Sequence, residues 1–418
     1  MGNPVMTDTK ERKFKFVIID DDQDIIDLET ALLAKEGHEV ISLIKSDNAL
    51  QVIQQEQPDC VLSDIMMPDI DGMMLLKQIR DDKSLDDIKV VLVTGRSFAF
   101  DRRQAMKLGA DGFIGKPLDI ATFAETVIEI IVDEIEMTFW GVRGTLPVPG
   151  PKTLKYGGNT SCMTLQFAKG QFFVFDAGTG IKALSNHLMA TRDGKLNAKI
   201  FISHPHWDHI NALPYFAPLY IPGNEFEILG AAHASISLRD LISSQMDDVY
   251  FPITMKDFGS HVEFRELGQG AFDVDGIAVK TMLLSHPGNC LGYRIDYKGR
   301  SICYITDNEL FLPESPSYYP NYGNNLASFI EGSDALITDC TYSDAEYASK
   351  VGWGHSCISR VVALAHRANI RVLYLAHHDP DQDDDAIDGK FESAKKYMRD
   401  LNSSTDVLAP AESLTVFI

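Results

Sequence analysis

The 418-residue chain contains no Cys-x-x-Cys pair, and its six cysteines, at 60, 162, 290, 303, 340 and 357, are scattered. That spacing argues against a cysteine-built zinc site and predicts reduced, mostly buried thiols. No apolar run approaches the length of a membrane span. The charged start, MGNPVMTDTKERKFKF, is not followed by the apolar segment of a signal peptide. A cytoplasmic protein with no membrane contact is the expectation. Positive charge is scarce too: 38 lysines and arginines stand against 60 aspartates and glutamates, a net charge of −22. Such a surface repels polyanions, so DNA and long RNA are poor partners, although a local metal-rich pocket can still take a small anion. Low-complexity runs and internal repeats are missing, as is any Gly/Ser/Pro-rich linker near 134–137.

What is present is ordinary globular composition, long enough for two or three domains. After a tail at 1–13, residues 14–134 alternate short apolar runs with helical patterns. KFVIID, HEVISLI, DCVLSD, KVVLVTG and DGFIGK read as strands, and QDIIDLETALLAKEG, GMMLLKQIRDD and RRQAMKLGA as helices. This alternation predicts an α/β domain, a doubly wound five-stranded parallel sheet. A last helix is predicted over 120–136. It leads into MTFWGVRG without slack, so close docking of the two domains is expected. From 135 to 418 the pattern shifts to short strands with glycine-rich turns and then strand–loop–helix units, which predicts a β-sandwich with outer helices. Residues 235–260, with Tyr250, Phe251 and Phe258, are expected to form a cap over its pocket.

Four predicted strands of the first domain end in chemistry. The first ends in Asp20, Asp21 and Asp22, another at Asp64, a third at Thr94, and the fourth leads to Lys116 and Pro117. A parallel sheet collects these ends at one edge, where ligands bind. Carboxylates gathered there repel one another unless a hard cation such as Mg²⁺ joins them. Thr94 and Lys116 can then bind an added phosphoryl oxygen. One strand-end acid is usually a solvated turn residue, but that does not explain the whole set. The set resembles a two-component receiver domain. The resemblance implies Asp64 as phosphoacceptor, Asp20, Asp21 and Asp64 around Mg²⁺, and Thr94 and Lys116 as phosphoryl sensors. It also implies Phe113 as the switch aromatic, with Phe where Tyr is frequent; Pro68 and Gly72 match the loop after the phosphoacceptor. A histidine kinase or phosphotransfer protein is the implied partner.

Residues 203–210, SHPHWDHI, place three histidines and an aspartate within six positions. Pro205 disfavours helix, so His204 and His206 sit on an extended stretch and point the same way. Asp208 and His209 open the next helix and turn to the other side. Each pair can bind one metal, and imidazoles with carboxylates suit Zn²⁺, Mn²⁺ or Fe. Later predicted strands end in further ligands: His286, Asp307, and His377 or His378. A single strand-end histidine is more often a core or solvated residue, and His38, His187, His233, His261 and His366 are assigned to that class.

Over 135–418 the arrangement resembles the metallo-β-lactamase superfamily and implies its αββα fold. The resemblance implies His204, His206 and His286 on one metal, Asp208, His209 and His377 on the other, and Asp307 bridging. His377 takes its place because it directly follows its strand; exchange with His378 stays open. WGVRGTLPVPGPKTLKYGGNTSC, SHPGNCLGYRI, YITDNE, ITDCTY and GWGHS are most similar to the branch holding tRNase Z and class II-type cyclic-nucleotide phosphodiesterases. By that likeness His355 is a donor near the scissile group, oriented by Asp339, and Asp208 orients the attacking water.

The expected function is a response regulator whose effector is a dinuclear metal-dependent hydrolase. Zinc is the first choice of metal. A phosphodiesterase acting on a small, often cyclic, nucleotide or a related phosphodiester, controlled by phosphorylation of Asp64, fits best, with a homodimer as one form that control can take. A di-iron redox or oxygen sensor, a lactone or thioester hydrolase, and a scaffold are the alternatives. His206, where di-iron relatives usually carry Glu, points to the hydrolase.

Overall fold

Five apolar segments build the first sheet: β1 (Lys15–Ile19), β2 (Glu39–Leu43), β3 (Cys60–Asp64), β4 (Lys89–Thr94) and β5 (Gly112–Gly115). All pair in parallel, in the order β2-β1-β3-β4-β5. β3 and β4 are buried almost end to end, which is why they read as continuous apolar runs. Successive residues face opposite cores. Val17, Ile19, Val61 and Leu92 pack on one side, and Phe16, Ile18, Leu62 and Val91 on the other. Helices Gln23–Lys35 and Gly72–Asp81 begin at Asp22 and Asp71, whose carboxylates accept from Asp24 N and Met74 N.

This computed structural model describes residues 13–68, 70–95, 104–105, 107–132, 134–168, 170–192, 194–249 and 251–418. Residues 1–12 of the predicted tail, part of RRQAMKLGA, and Tyr250 lie outside the described residues. The chain divides into two compact units between Glu134 and Ile135.

The helix predicted over 120–136 is shorter than expected: it spans Phe123–Val132, and Ile135 already starts a strand. Ile135, Met137 and Phe139 all enter the core of the second unit. Burial at every second residue overrides the apolar helical pattern there.

The second unit has two seven-stranded sheets. One contains β6 (Ile135–Gly141), β7 (Cys162–Phe167), β8 (Phe172–Phe175), β9 (Asn197–Phe201), β10 (Glu225–Gly230), β11 (His261–Glu266) and the last strand, β19 (Thr415–Phe417). The other contains β12 (Gly270–Val274), β13 (Ile277–Leu283), β14 (Leu291–Tyr297), β15 (Arg300–Ile305), β16 (Ala335–Asp339), β17 (Val372–Ala376) and β18 (Asp406–Leu408). Between them lies an aromatic-rich core: Phe175 stacks on Phe201, and Tyr293 meets both rings edge-on. Helix Gly180–Thr191 covers the first sheet, and helices Ile358–Arg367 and Asp384–Asp400 cover the second. Leu238, Ile242 and Met246, from the segment expected as a cap, pack into the core outside the first sheet, with Phe251 and Phe258 against it.

The functional consequence is one of direction. β8 and β9 run parallel, as do β15, β16 and β17. Their C-terminal ends release Asp176, His204, Asp307, Asp339 and His377. No helix among the described residues is long and apolar enough to cross a membrane.

Candidate metal centre

His206 is in extended conformation before the short helix Trp207–Ile210, which carries Asp208 and His209. His204 and His206 converge, with His204 Nε2 2.9 Å from His206 Nδ1. His286 Nε2 joins them at 3.2 Å from the same His206 atom. Asp307 Oδ2 lies 3.4 Å from His204 Nε2 and 3.6 Å from His286 Nε2. Its other oxygen, Oδ1, faces the second group, 3.3 Å from His209 Nε2 and 2.9 Å from His377 Nε2. Asp208 Oδ2 completes that group, 3.1 Å from His209 Nε2 and 3.2 Å from His377 Nε2. The result is two four-ligand sets sharing one carboxylate: His204, His206, His286 and Asp307; and Asp208, His209, His377 and Asp307.

His378 points elsewhere. It is fully buried, and its Nδ1 is 3.0 Å from Lys390 Nζ. His377 turns the other way on a backbone φ of +56°. The approach is tight: a Cβ on Gly144 would meet the His377 ring at 2.1 Å, so only glycine fits beside it.

The arrangement fits a pair of cations. His209 Nε2 is buried without a hydrogen-bond partner although two carboxylate oxygens lie within 3.3 Å. Burial pushes the His204, His206 and His286 imidazoles down toward the neutral form that binds metal. Burial also opposes a charge on His377, but Asp307 and Asp208 outweigh it and raise that group to about 10. The carboxylates thus draw protons to a position that a metal would fill. Fold and ligand set together suit a dinuclear metal centre.

A supporting layer orients the ligands. The buried Asp176 carboxylate takes His209 Nδ1 at 2.7 Å, and also accepts from Ser203 N, Ser203 Oγ and the Tyr304 hydroxyl. Gly354 O accepts from His286 Nδ1 at 2.9 Å. Thr341 donates to Asp339 Oδ1 and to His377 O. Asp339 Oδ2 also meets His355 Nδ1 at 2.8 Å, and the His355 ring stacks 5.0 Å from His377. Such partners fix ring orientation and ligand basicity. Asp176 escaped the reading of the sequence. It is a lone acid directly after β8, and its partners lie far away along the chain.

In the first unit, Asp20, Asp21 and Asp64 form a third acidic group. Lys116 Nζ lies 2.6 Å from Asp20 Oδ2 and 3.6 Å from Asp64 Oδ1. Burial raises the Asp64 carboxyl, Lys116 opposes it, and Asp20 adds to it. Gly72 permits the chain to return here: a Cβ would meet Asp64 O at 2.2 Å. Thr94 is buried at the end of β4, and Phe113 is half-buried on β5. Pro68 is exposed in the loop after Asp64.

Comparison with known proteins assigns both units. The response regulator receiver domain family matches residues 16–128, and the beta-lactamase superfamily domain matches 172–378. Response regulator PleD of Caulobacter vibrioides is 32% identical over 126 residues, which cover 29% of this chain and 28% of PleD. The metallo-beta-lactamase fold protein YhfI from Bacillus subtilis superposes with a TM-score of 0.50 at 16% identity, over 68% of this chain and all of YhfI. The short form of human tRNase Z gives 0.46 at 22% identity, over 67% of this chain and 98% of that one. Residues 16–128 are thus a response regulator receiver domain, and residues 172–378 lie in a beta-lactamase superfamily domain of metallo-beta-lactamase fold.

Proposed function

We propose that this chain is a response regulator whose effector hydrolyses a small phosphodiester, such as a cyclic nucleotide, at a pair of metal ions. The supporting observation is the ligand set. Five imidazoles and only two carboxylates surround the two positions, so two divalent ions would leave the centre net positive and attractive to an anion. His204, His206 and His286 would hold one ion, Asp208, His209 and His377 the other, and Asp307 both. Bound there, the pair supplies Lewis acidity and acidifies water for attack at neutral pH. Asp208 orients that water. Asp339 holds His355 Nδ1, which leaves Nε2 to donate to the leaving oxygen. Burial lowers the His355 imidazole, but the Asp339 carboxylate beside it prevails and raises it, keeping the acid form available.

The test is elemental analysis paired with a screen of cyclic mono- and dinucleotides and other phosphodiesters. About two transition-metal ions per chain and turnover that disappears on chelation are expected. Full activity without metal overturns the reading. Control is proposed to run through phosphorylation of Asp64 by a histidine kinase or phosphotransfer protein, with Mg²⁺ held by Asp20, Asp21 and Asp64. Beryllofluoride should change hydrolysis by about 5- to 150-fold, the usual range of allosteric coupling, and Asp64→Ala should abolish the response. Identical kinetics with the mimic bound would show that the receiver does not gate the enzyme.

A further inference from the structure

The chain has three tryptophans. Trp140 is buried, and its indole N–H donates to Thr164 Oγ1 at 3.0 Å. The other two stay in water: Trp207 is 80% exposed and Trp353 61%. A single exposed apolar side chain is ordinary. These two, however, border the same centre. Trp207 stands between His206 and Asp208, one residue from each ligand group. Trp353 precedes Gly354, whose carbonyl holds His286 Nδ1.

A series of rings leads from the centre to Trp353. The His206 and His286 rings are 5.0 Å apart, His286 and His355 5.2 Å, and His355 and Tyr342 6.0 Å. Lys350 Nζ then lies 5.3 Å over Tyr342 and 4.4 Å over Trp353. This series is also braced. Gly352 N and Gly354 N both donate to the buried Glu309 carboxylate at 2.7 Å, which clamps Trp353 between them. The Trp207 backbone is set by the two ligands that flank it. Rigid aromatic faces lose little entropy on meeting a flat ligand.

We propose that Trp207 and Trp353 are stacking platforms that select a phosphodiester carrying a planar aromatic base, while its phosphate meets the metal positions. Lys350 holds the Trp353 ring and adds positive charge at the same edge. The inference rests on the phosphodiesterase reading and narrows it to base-bearing substrates.

The test compares a nucleoside 2′,3′-cyclic monophosphate with the base-free ribose cyclic phosphate, which has the same scissile bond, on the metal-loaded full chain. The base should lower KM by about 5- to 150-fold, the range that base–aromatic stacking supplies. Trp207→Ala and Trp353→Ala should each shrink that ratio, and Trp353→Phe should keep most of it. A ratio near one in the wild type, or a ratio unchanged in the double alanine variant with both ions retained, overturns the proposal. If neither compound is turned over, the phosphodiesterase reading rests on the wider screen and binding decides the platforms separately. Adenosine monophosphate should then quench the tryptophan fluorescence of the wild type but not of the double variant, which keeps Trp140. Equal quenching in both, or none in the wild type, overturns the platforms.

Discussion

Both units gather carboxylates at strand ends, and they neutralise them in opposite ways. The receiver's cluster is all oxygen, Asp20, Asp21 and Asp64, with Asp21 exposed and Lys116 already standing in it. The second centre mixes five imidazoles with two carboxylates, and all but His206 and His286 of its ligands are buried. Oxygen ligands at an open edge suit a hard ion that comes and goes. Mostly buried, nitrogen-rich ligands, several of them braced from behind, suit resident transition-metal ions. The same motif, an acid at the end of a parallel strand, therefore suits an exchangeable ion in one place and a fixed pair in the other.

The largest expected effect comes from the residue that makes the second centre a pair. Asp307 is the one ligand common to both sets. Asp307→Ala should release both ions and lower hydrolysis by about 10³-fold or more, beyond the loss of a single transition-state donor. His206→Ala should release only one. Elemental analysis of both proteins decides it, and two ions retained in Asp307→Ala would break the contrast with the receiver's exchangeable site.

Next comes His355, proposed to donate to the leaving oxygen without holding metal. His355→Ala should keep both ions and lower kcat by about 10²-fold. The pH arm has a definite sign. Asp339 raises the His355 pKa against burial, so the wild-type kcat should fall as pH rises through that raised value. The alanine variant should lack this limb. An unchanged kcat, with an unchanged profile, would return His355 to an ordinary loop residue.

These residues were readable because the chain writes them compactly or at strand ends. SHPHWDHI carries four ligands, and Asp64, Thr94 and Lys116 each close a strand or follow one directly. Other features depend on three dimensions. The choice between His377 and His378 turns on one left-handed backbone angle and on Lys390, which engages His378. The end of the helix at Val132 depends on a core that Ile135, Met137 and Phe139 enter from the other unit's side of the boundary. Asp176 is a single acid after FFVF, and its role appears only when His209, Ser203 and Tyr304 converge on it. Asp176→Asn should therefore weaken metal retention by about 10- to 100-fold, the usual cost of losing a ligand's supporting partner. Competition with a chelator measures this, and wild-type retention would reduce Asp176 to packing.

A last expected effect, on stability instead of turnover, sharpens the receiver's side of the comparison. Glu29, on helix Gln23–Lys35, is 1% exposed, and its Oε1 has no hydrogen-bond partner. Burial above all, then Asp20, raises its carboxyl to about 8, with Lys116 opposing and Asp64 adding. It therefore stays protonated at neutral pH beside the Asp20, Asp21 and Asp64 cluster. The folded value lies above the ordinary 4.5 of the unfolded chain. Below that lower value both states hold the proton and the folded state loses nothing. As pH rises toward 8 the unfolded chain ionises first, so receiver stability falls by about 1.4 kcal/mol per unit and levels off once the folded group titrates. Glu29→Gln removes this titration while keeping the shape. The stability gap between variant and wild type should widen across that window, read as hydrogen-exchange protection of β1 and β3. A gap independent of pH would mean that Glu29 is already ionised in the folded receiver, and that its acidic edge tolerates a further buried charge.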